Sequence, residues 1–207
     1  MTDFLFIRHG EASANVTPEY ICGQSNHTPL TPLGEKQAAA LGVYLQDAAI
    51  TPTALFSSGA IRADTTAQIA LEVAAITQPV IIDERLLEMG QGECEGLLRE
   101  TVYTPENIEK YAITEPHGKF PGGESLLDVQ ARMLQFIEER SQQYPDGTVL
   151  AFGHGLAIRS LAGALRKLSK ADILAEATGN VSVTHINTSD AGHTVRFVGK
   201  NVIERYT

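Results

Sequence analysis

The chain has 207 residues, 43% of them hydrophobic and 20% charged, which fits a folded globular protein and excludes disorder as its main state. Its 16 Lys and Arg against 25 Asp and Glu give a formal net charge of −9, the wrong sign for a general nucleic-acid binder. Two cysteines, Cys22 and Cys94, are too few for a disulfide scaffold or a four-cysteine zinc site, and no apolar run is long enough to span a bilayer.

In chain order, Phe4-Leu5-Phe6-Ile7 is a short strand that ends at Arg8-His9-Gly10. Residues 32–47 read as a helix, with Pro32 in its first turn and Ala38, Leu41, Leu45 and Ala48 on one face. Ala54-Leu55-Phe56 is a second strand, broken by Ser57-Ser58-Gly59 and followed by a helix through Ile61, Ile69 and Val73. Val80-Ile81-Ile82 is a third strand. Residues 83–123 have weak periodicity, several prolines and paired glycines, and are expected to form a short insertion over the sheet edge and the active site rather than a separate domain.

Residues 125–144 carry Leu126, Val129, Met133, Phe136 and Ile137 at helical spacing. Residues 148–152 form a nearly all-apolar strand, closed by Gly153-His154-Gly155 and followed by a helix through Ile158, Leu161 and Leu165. Residues 181–186 and 194–198 read as a closing strand pair around a turn at 189–192. Alternating strands and helices predict a three-layer α/β/α sandwich around a mostly parallel mixed sheet, a single domain over 1–207.

In such folds ligands collect beyond the carboxyl ends of strands, and His9 and His154 both sit at strand ends. Arg8 adjoins the first histidine, and Arg62 opens a helix after another strand end, where exposed N–H groups also favour an anion. Two arginines and two histidines make an anion pocket in an acidic protein, and a planar guanidinium suits phosphate. Each residue alone has a plainer reading: a His-Gly at a strand end is usually a turn, and a lone arginine a helix-surface residue. Glu88 lies among Glu84, Glu93 and Glu95, where a solvated acidic face is the default.

Five segments in order nevertheless resemble the motifs of the histidine phosphatase superfamily, the phosphoglycerate-mutase-like proteins. They are Arg8-His9-Gly10-Glu11-Ala12 with Asn15; Leu30-Thr31-Pro32-Leu33-Gly34; Ser57-Ser58-Gly59-Ala60-Ile61-Arg62-Ala63 with Thr65-Thr66-Ala67; Leu87-Glu88 with Gly92-Glu93-Cys94-Glu95-Gly96; and Gly153-His154-Gly155. The resemblance implies that His9 is a nucleophile forming a phosphohistidine and that Glu88 is the general acid and then the base. It also implies that Arg8, Arg62 and His154 clamp the phosphoryl group. Asn15, Gly23, Gln24, Gly155 and Leu156 are implied as phosphate- or substrate-binding positions. No metal and no cofactor are expected, since the arginines supply the positive charge.

The pattern departs from the family in places. Cys94 stands where tryptophan is usual, Asn26 where aspartate is common, and the 23–30 segment is one residue longer than usual. Three readings follow: a histidine acid-type phosphatase acting on a small phosphomonoester, a cofactor-dependent phosphoglycerate mutase, or a non-catalytic phosphate-binding module. The short insertion, with Arg99 as its main cationic candidate, favours the phosphatase. Tyr103, Tyr111, His117, Lys119 and Phe120 are its candidate selectivity residues; His27 is a further histidine that could reach a substrate, and His185 and His193 are expected at the surface. The expected setting is cytoplasmic, without nucleic-acid or membrane partners, and the carboxyl-terminal edge strand is free to pair across a homodimer.

Overall fold

The computed structural model of the protein describes residues 1–206. Its elements run β1 (Thr2–Arg8), α1 (Ser13–Val16), α2 (Pro32–Asp47), β2 (Ala54–Ser57), α3 (Ile61–Val73), β3 (Val80–Ile82), α4 (Arg99–Val102) and α5 (Pro105–Lys110). They continue with α6 (Leu126–Gln143), β4 (Thr148–Gly153), α7 (Gly155–Arg166), α8 (Lys170–Ala175), β5 (Val183–Ser189) and β6 (Gly192–Lys200). The six strands form one mixed sheet in the order β3-β2-β4-β1-β5-β6. Strands β1 to β4 pair in parallel, while β5 and β6 join antiparallel at one edge.

Side-chain alternation along β1 sets the layers, because successive residues point to opposite faces of a strand. Phe4 and Phe6 pack with Phe56, with Val129, Met133, Phe136 and Ile137 of α6, and with Leu161 of α7. Leu5 and Ile7 face the other way, onto Leu41 and Leu45 of α2 and Ala67, Ala70 and Leu71 of α3. Phe136 is fully buried with edge-on contacts to Phe4, Phe6 and Phe56, a burial that contributes about 1.5–3 kcal/mol. The expected three-layer sandwich is therefore present, with its central strands apolar on both faces.

Helix starts follow local chemistry. Thr31 caps α2 through the Gly34 N–H, with Pro32 in the first turn. Ser125 caps α6 in a capping box with Asp128. Gly34 also permits a close approach: a Cβ there would lie 2.0 Å from the Glu11 carbonyl oxygen, so α2 could not dock against the loop after β1.

One expectation is corrected. The closing strand begins at Val183 rather than Val181, because Val181 has φ +50° and its N–H turns to the Arg8 and His9 carbonyls. Residues 83–123 contribute Glu88, Met89, Gln91, Arg99 and Tyr103 to the wall of the main cavity. They pack against the 19–24 segment, where Ile21, Val102 and Phe120 form a small core of their own, and they roof the carboxyl ends of the strands. No helix among the described residues is long and apolar enough to cross a membrane.

Candidate active site

Strands β1 and β4 are parallel neighbours, so their ends deliver His9 and His154 side by side, with ring centroids 5.2 Å apart. The His9 N–H donates to the Gly153 carbonyl, continuing the ladder between the two ends. His9 Nδ1 lies 2.7 Å from the Gly10 carbonyl oxygen. A carbonyl only accepts, so the ring proton sits on Nδ1 and the Nε2 lone pair is left available. Thr66 steadies that arrangement: its hydroxyl accepts from the Gly10 N–H and donates to the Arg62 carbonyl. Burial, then the charges of Arg62 and Arg8, push the His9 pKa down to about 3.

His154 is fully buried; its Nε2 lies 2.9 Å from the Ser58 hydroxyl, and its Nδ1 has no partner. Burial, followed by the charge of Arg62, holds it well below the ordinary histidine value. Both rings are therefore neutral near neutral pH.

Arg62, 2% exposed, spans the 23–28 loop, donating to the Gly23 and Ser25 carbonyls and the Thr28 hydroxyl. Arg8 Nη1 donates to the Thr178 carbonyl at 2.5 Å, and its buried Nε has no partner. His9, Arg8 and Arg62 line a cavity of about 710 Å³, which also meets Asn15, Gly23, Glu88, Met89, Arg99, Tyr103, Gly155, Leu156 and Arg159, while His154 is buried behind His9 and is not in the lining. Among the described residues, Arg8, Arg62, Arg99 and Arg159 have no carboxylate within 4.0 Å. Four arginines outside the cavity, Arg85, Arg132, Arg140 and Arg166, are ion-paired. Glu88 is the one acidic residue in the lining. The cavity is an unmatched cluster of positive charge in an acidic chain.

Glu88 closes the cavity from the insertion. Oε1 accepts from the Met89 and Ala157 N–H groups and Oε2 from Leu156, so the carboxylate caps α7 where no side chain of the helix does. Leu156 thus differs from its expected role. It borders the cavity, but its N–H is given to Glu88 rather than left for phosphate. Gln24 differs too: its amide donates to the Glu88 carbonyl and to Glu124, and it does not line the cavity. Asn15 accepts at Oδ1 from the Ala12 N–H, which leaves its Nδ2 as the donor for the cavity.

Among the candidate selectivity residues, only Tyr103 lines the cavity, hydrogen-bonded to Gln91. Tyr111 and Phe120 belong to the small core, Lys119 pairs with Asp128, and His27 and His117 are exposed away from the cavity. His185 lies within β5, bonded to Asp3, and His193 in β6. Thr178 and Asn180, which hold Arg8 and the His9 carbonyl, and the pair Glu124 and Arg132 behind Glu88 carry no motif that singles them out in the sequence. Glu124 immediately precedes Ser125, the residue that caps α6. No group of three or more His, Cys, Asp or Glu that could hold a metal occurs among the described residues.

Fold and cavity together define an α/β protein with a paired-histidine, arginine-rich anion centre at the carboxyl ends of its sheet. The chain belongs to the histidine phosphatase superfamily, branch 1, which it matches over residues 4–201. It is 32% identical over 170 residues to phosphoserine phosphatase 1 of Hydrogenobacter thermophilus, covering 80% of this chain and 76% of that protein. It is 31% identical over 199 residues to a 2,3-bisphosphoglycerate-dependent phosphoglycerate mutase of Corynebacterium jeikeium, covering 83% and 78%. The structure of mycobacterial glucosyl-3-phosphoglycerate phosphatase superposes with a TM-score of 0.81 at 28% identity, over 96% of this chain and 99% of that one.

Proposed function

We propose that the protein is a metal-independent phosphomonoester hydrolase, a histidine acid-type phosphatase working through phosphohistidine on a small phosphorylated metabolite in the cytoplasm. The observation that carries the reading is the set of unpaired cavity arginines around two neutral histidines, with Arg8 Nε and His154 Nδ1 buried and unpartnered. Buried donors without acceptors are costly, and a phosphoryl group would satisfy them. Ser58 accepts from the Ala60 N–H and can donate its own proton to His154 Nε2, which keeps the ring proton on Nδ1 for a phosphoryl oxygen.

The neutral Nε2 of His9 attacks phosphorus, the bond to the ester oxygen breaks, and Glu88 gives its proton to the departing alkoxide. The three main-chain donors on Glu88 stabilise the carboxylate that remains. Glu88 then takes a proton from water, whose oxygen attacks phosphorus; the bond to His9 breaks and phosphate leaves. Arg8 and Arg62 supply the positive charge this chemistry needs. Replacing Arg62 by lysine should lower kcat/KM about 100-fold, because one ammonium cannot hold the 23–28 loop and two phosphoryl oxygens together. A loss within fivefold in a steady-state assay would remove Arg62 from the clamp.

Arg99 and Arg159 lie in the lining but are not needed by a single phosphoryl group. They favour a leaving group that is itself anionic, as in the phosphorylated acids named for two of the relatives. The mutase relative favours a second reading, in which the phosphoryl group returns to another hydroxyl. The test is phosphate release in a metal chelator from 3-phosphoglycerate, phosphoserine and glycerol 3-phosphate, beside 3- to 2-phosphoglycerate interconversion. We expect release without interconversion, with the acids ahead of glycerol 3-phosphate by about tenfold. Interconversion without release would make the protein a mutase, and no preference for the acids would leave Arg99 and Arg159 without this role.

A further inference from the structure

The loop carrying Glu88 is held from behind by side chains that do not line the cavity. The Glu88 carbonyl accepts from both Gln24 Nε2, at 2.9 Å, and Arg132 Nη2, at 3.1 Å. Arg132 Nη1 donates to the Arg85 carbonyl. The same guanidinium is gripped by Glu124, with Nε 2.8 Å from Oε1 and Nη2 3.0 Å from Oε2. Glu124 Oε2 in turn accepts from the Gly90 N–H at 2.8 Å and from Gln24 at 3.3 Å, while the Glu124 N–H donates to the Gly90 carbonyl. Four chain segments, around residues 24, 85–90, 124 and 132, converge on one peptide.

We propose that Glu124 and Arg132 are positioning residues for the Glu88 proton donor, fixing its main chain so that its carboxyl meets the leaving oxygen. The inference rests on the reading of Glu88 as the donor given above. Residues 87–91 belong to no helix or strand, so no ladder of main-chain bonds sets their course. The side chains of Arg132 and Glu124 are 15% and 24% exposed, so their two parallel bonds are only partly screened by water. Without the clamp the carboxyl keeps its α7 contacts only as far as an unanchored loop allows. A misplacement of about 1 Å in a catalytic group can lower a rate about 100-fold.

A brace that served only stability would lower the hydrolysis of all substrates alike. A brace that aims the proton donor affects substrates according to their need for that proton. Glycerol 3-phosphate releases a poor alkoxide; p-nitrophenyl phosphate releases a phenolate that scarcely needs protonation. The experiment measures kcat/KM for both in the full-length protein and in Arg132→Met, Glu124→Gln and Glu88→Gln, with thermal midpoints in parallel. Glu124→Gln keeps an acceptor for Gly90 and guards against an Arg132 variant that fails to fold.

In each positioning variant the ratio of alkyl to aryl hydrolysis is expected to fall by about tenfold or more. The Arg132→Met and Glu124→Gln double variant should fall no further than the worse single one, since both act through one loop. A ratio within twofold of the parent in both, whatever the midpoints do, overturns the inference while leaving Glu88 as donor if Glu88→Gln lowers it. If Glu88→Gln leaves the ratio unchanged, the donor assignment itself has failed, and the positioning role with it.

Discussion

Replacing His9 by alanine is expected to remove turnover, by at least about 10⁴-fold, and to leave no phosphorylated protein when labelled substrate is quenched in alkali. The expectation separates His9 from its neighbour His154 on physical grounds. His154 is fully buried, with one ring nitrogen on Ser58, whereas His9 keeps slight exposure and an Nε2 that no protein group occupies. Its proton is pinned to Nδ1 by the Gly10 carbonyl, so the nucleophilic lone pair needs no prior deprotonation. With a pKa pushed down to about 3, the ring is neutral throughout the range in which phosphate esters are dianions. The alanine variant retains Arg8, Arg62 and His154, so it should still bind inorganic phosphate in a calorimeter. Turnover within tenfold of the parent, or label that survives in the variant, would place the nucleophile elsewhere.

Much of this site was legible because strand ends advertise themselves. An apolar run followed by His-Gly fixes where a side chain emerges, so the sequence puts His9 and His154 each at the carboxyl end of a strand. Arg62 was legible for a related reason, as the second residue of a helix that starts where β2 ends.

What escaped the sequence lies in contacts with no period and no short spacing. Gln24 reads as a polar loop residue beside the pocket, and nothing local says that its amide turns toward Glu88 and Glu124, 64 and 100 positions on. Arg132 sits on the polar side of an amphipathic helix, where a solvated charge is the ordinary expectation; its two carbonyl partners come from residues 85 and 88. The Leu156 N–H is a main-chain donor, which a residue name cannot distinguish from any other. Val181 looks like the first residue of a strand, yet its left-handed backbone aims its N–H at the Arg8 and His9 carbonyls. A β-branched residue in that region is a strain that the surrounding site must hold in place.

The two buried histidines also bear on stability, and here the pH dependence has a definite sign. Their pKa values in the folded state lie below the unfolded value of about 6.5, so the unfolded chain binds more protons as pH falls. Stability is therefore complete above about pH 7 and falls as pH drops through 6.5. Between pH 7 and pH 5 the His9 ring should withdraw about 2 kcal/mol, and His154, also held below its ordinary value by burial, adds to the loss in the same direction. The His9 figure depends on the unfolded value, since a native value of about 3 leaves that ring neutral across the whole interval. Asp83 and Asp128, lowered to about 2 by their arginine and lysine partners among other causes, contribute only nearer pH 4 and below. Urea unfolding at pH 7 and pH 5 measures the drop directly, and His9→Gln, which cannot protonate, should reduce it by about 2 kcal/mol. Equal stability at the two pH values would mean that the rings can charge in the folded protein. The neutral nucleophile would then lose its physical basis, because the burial that destabilises the acid form is the same burial that keeps Nε2 free to attack.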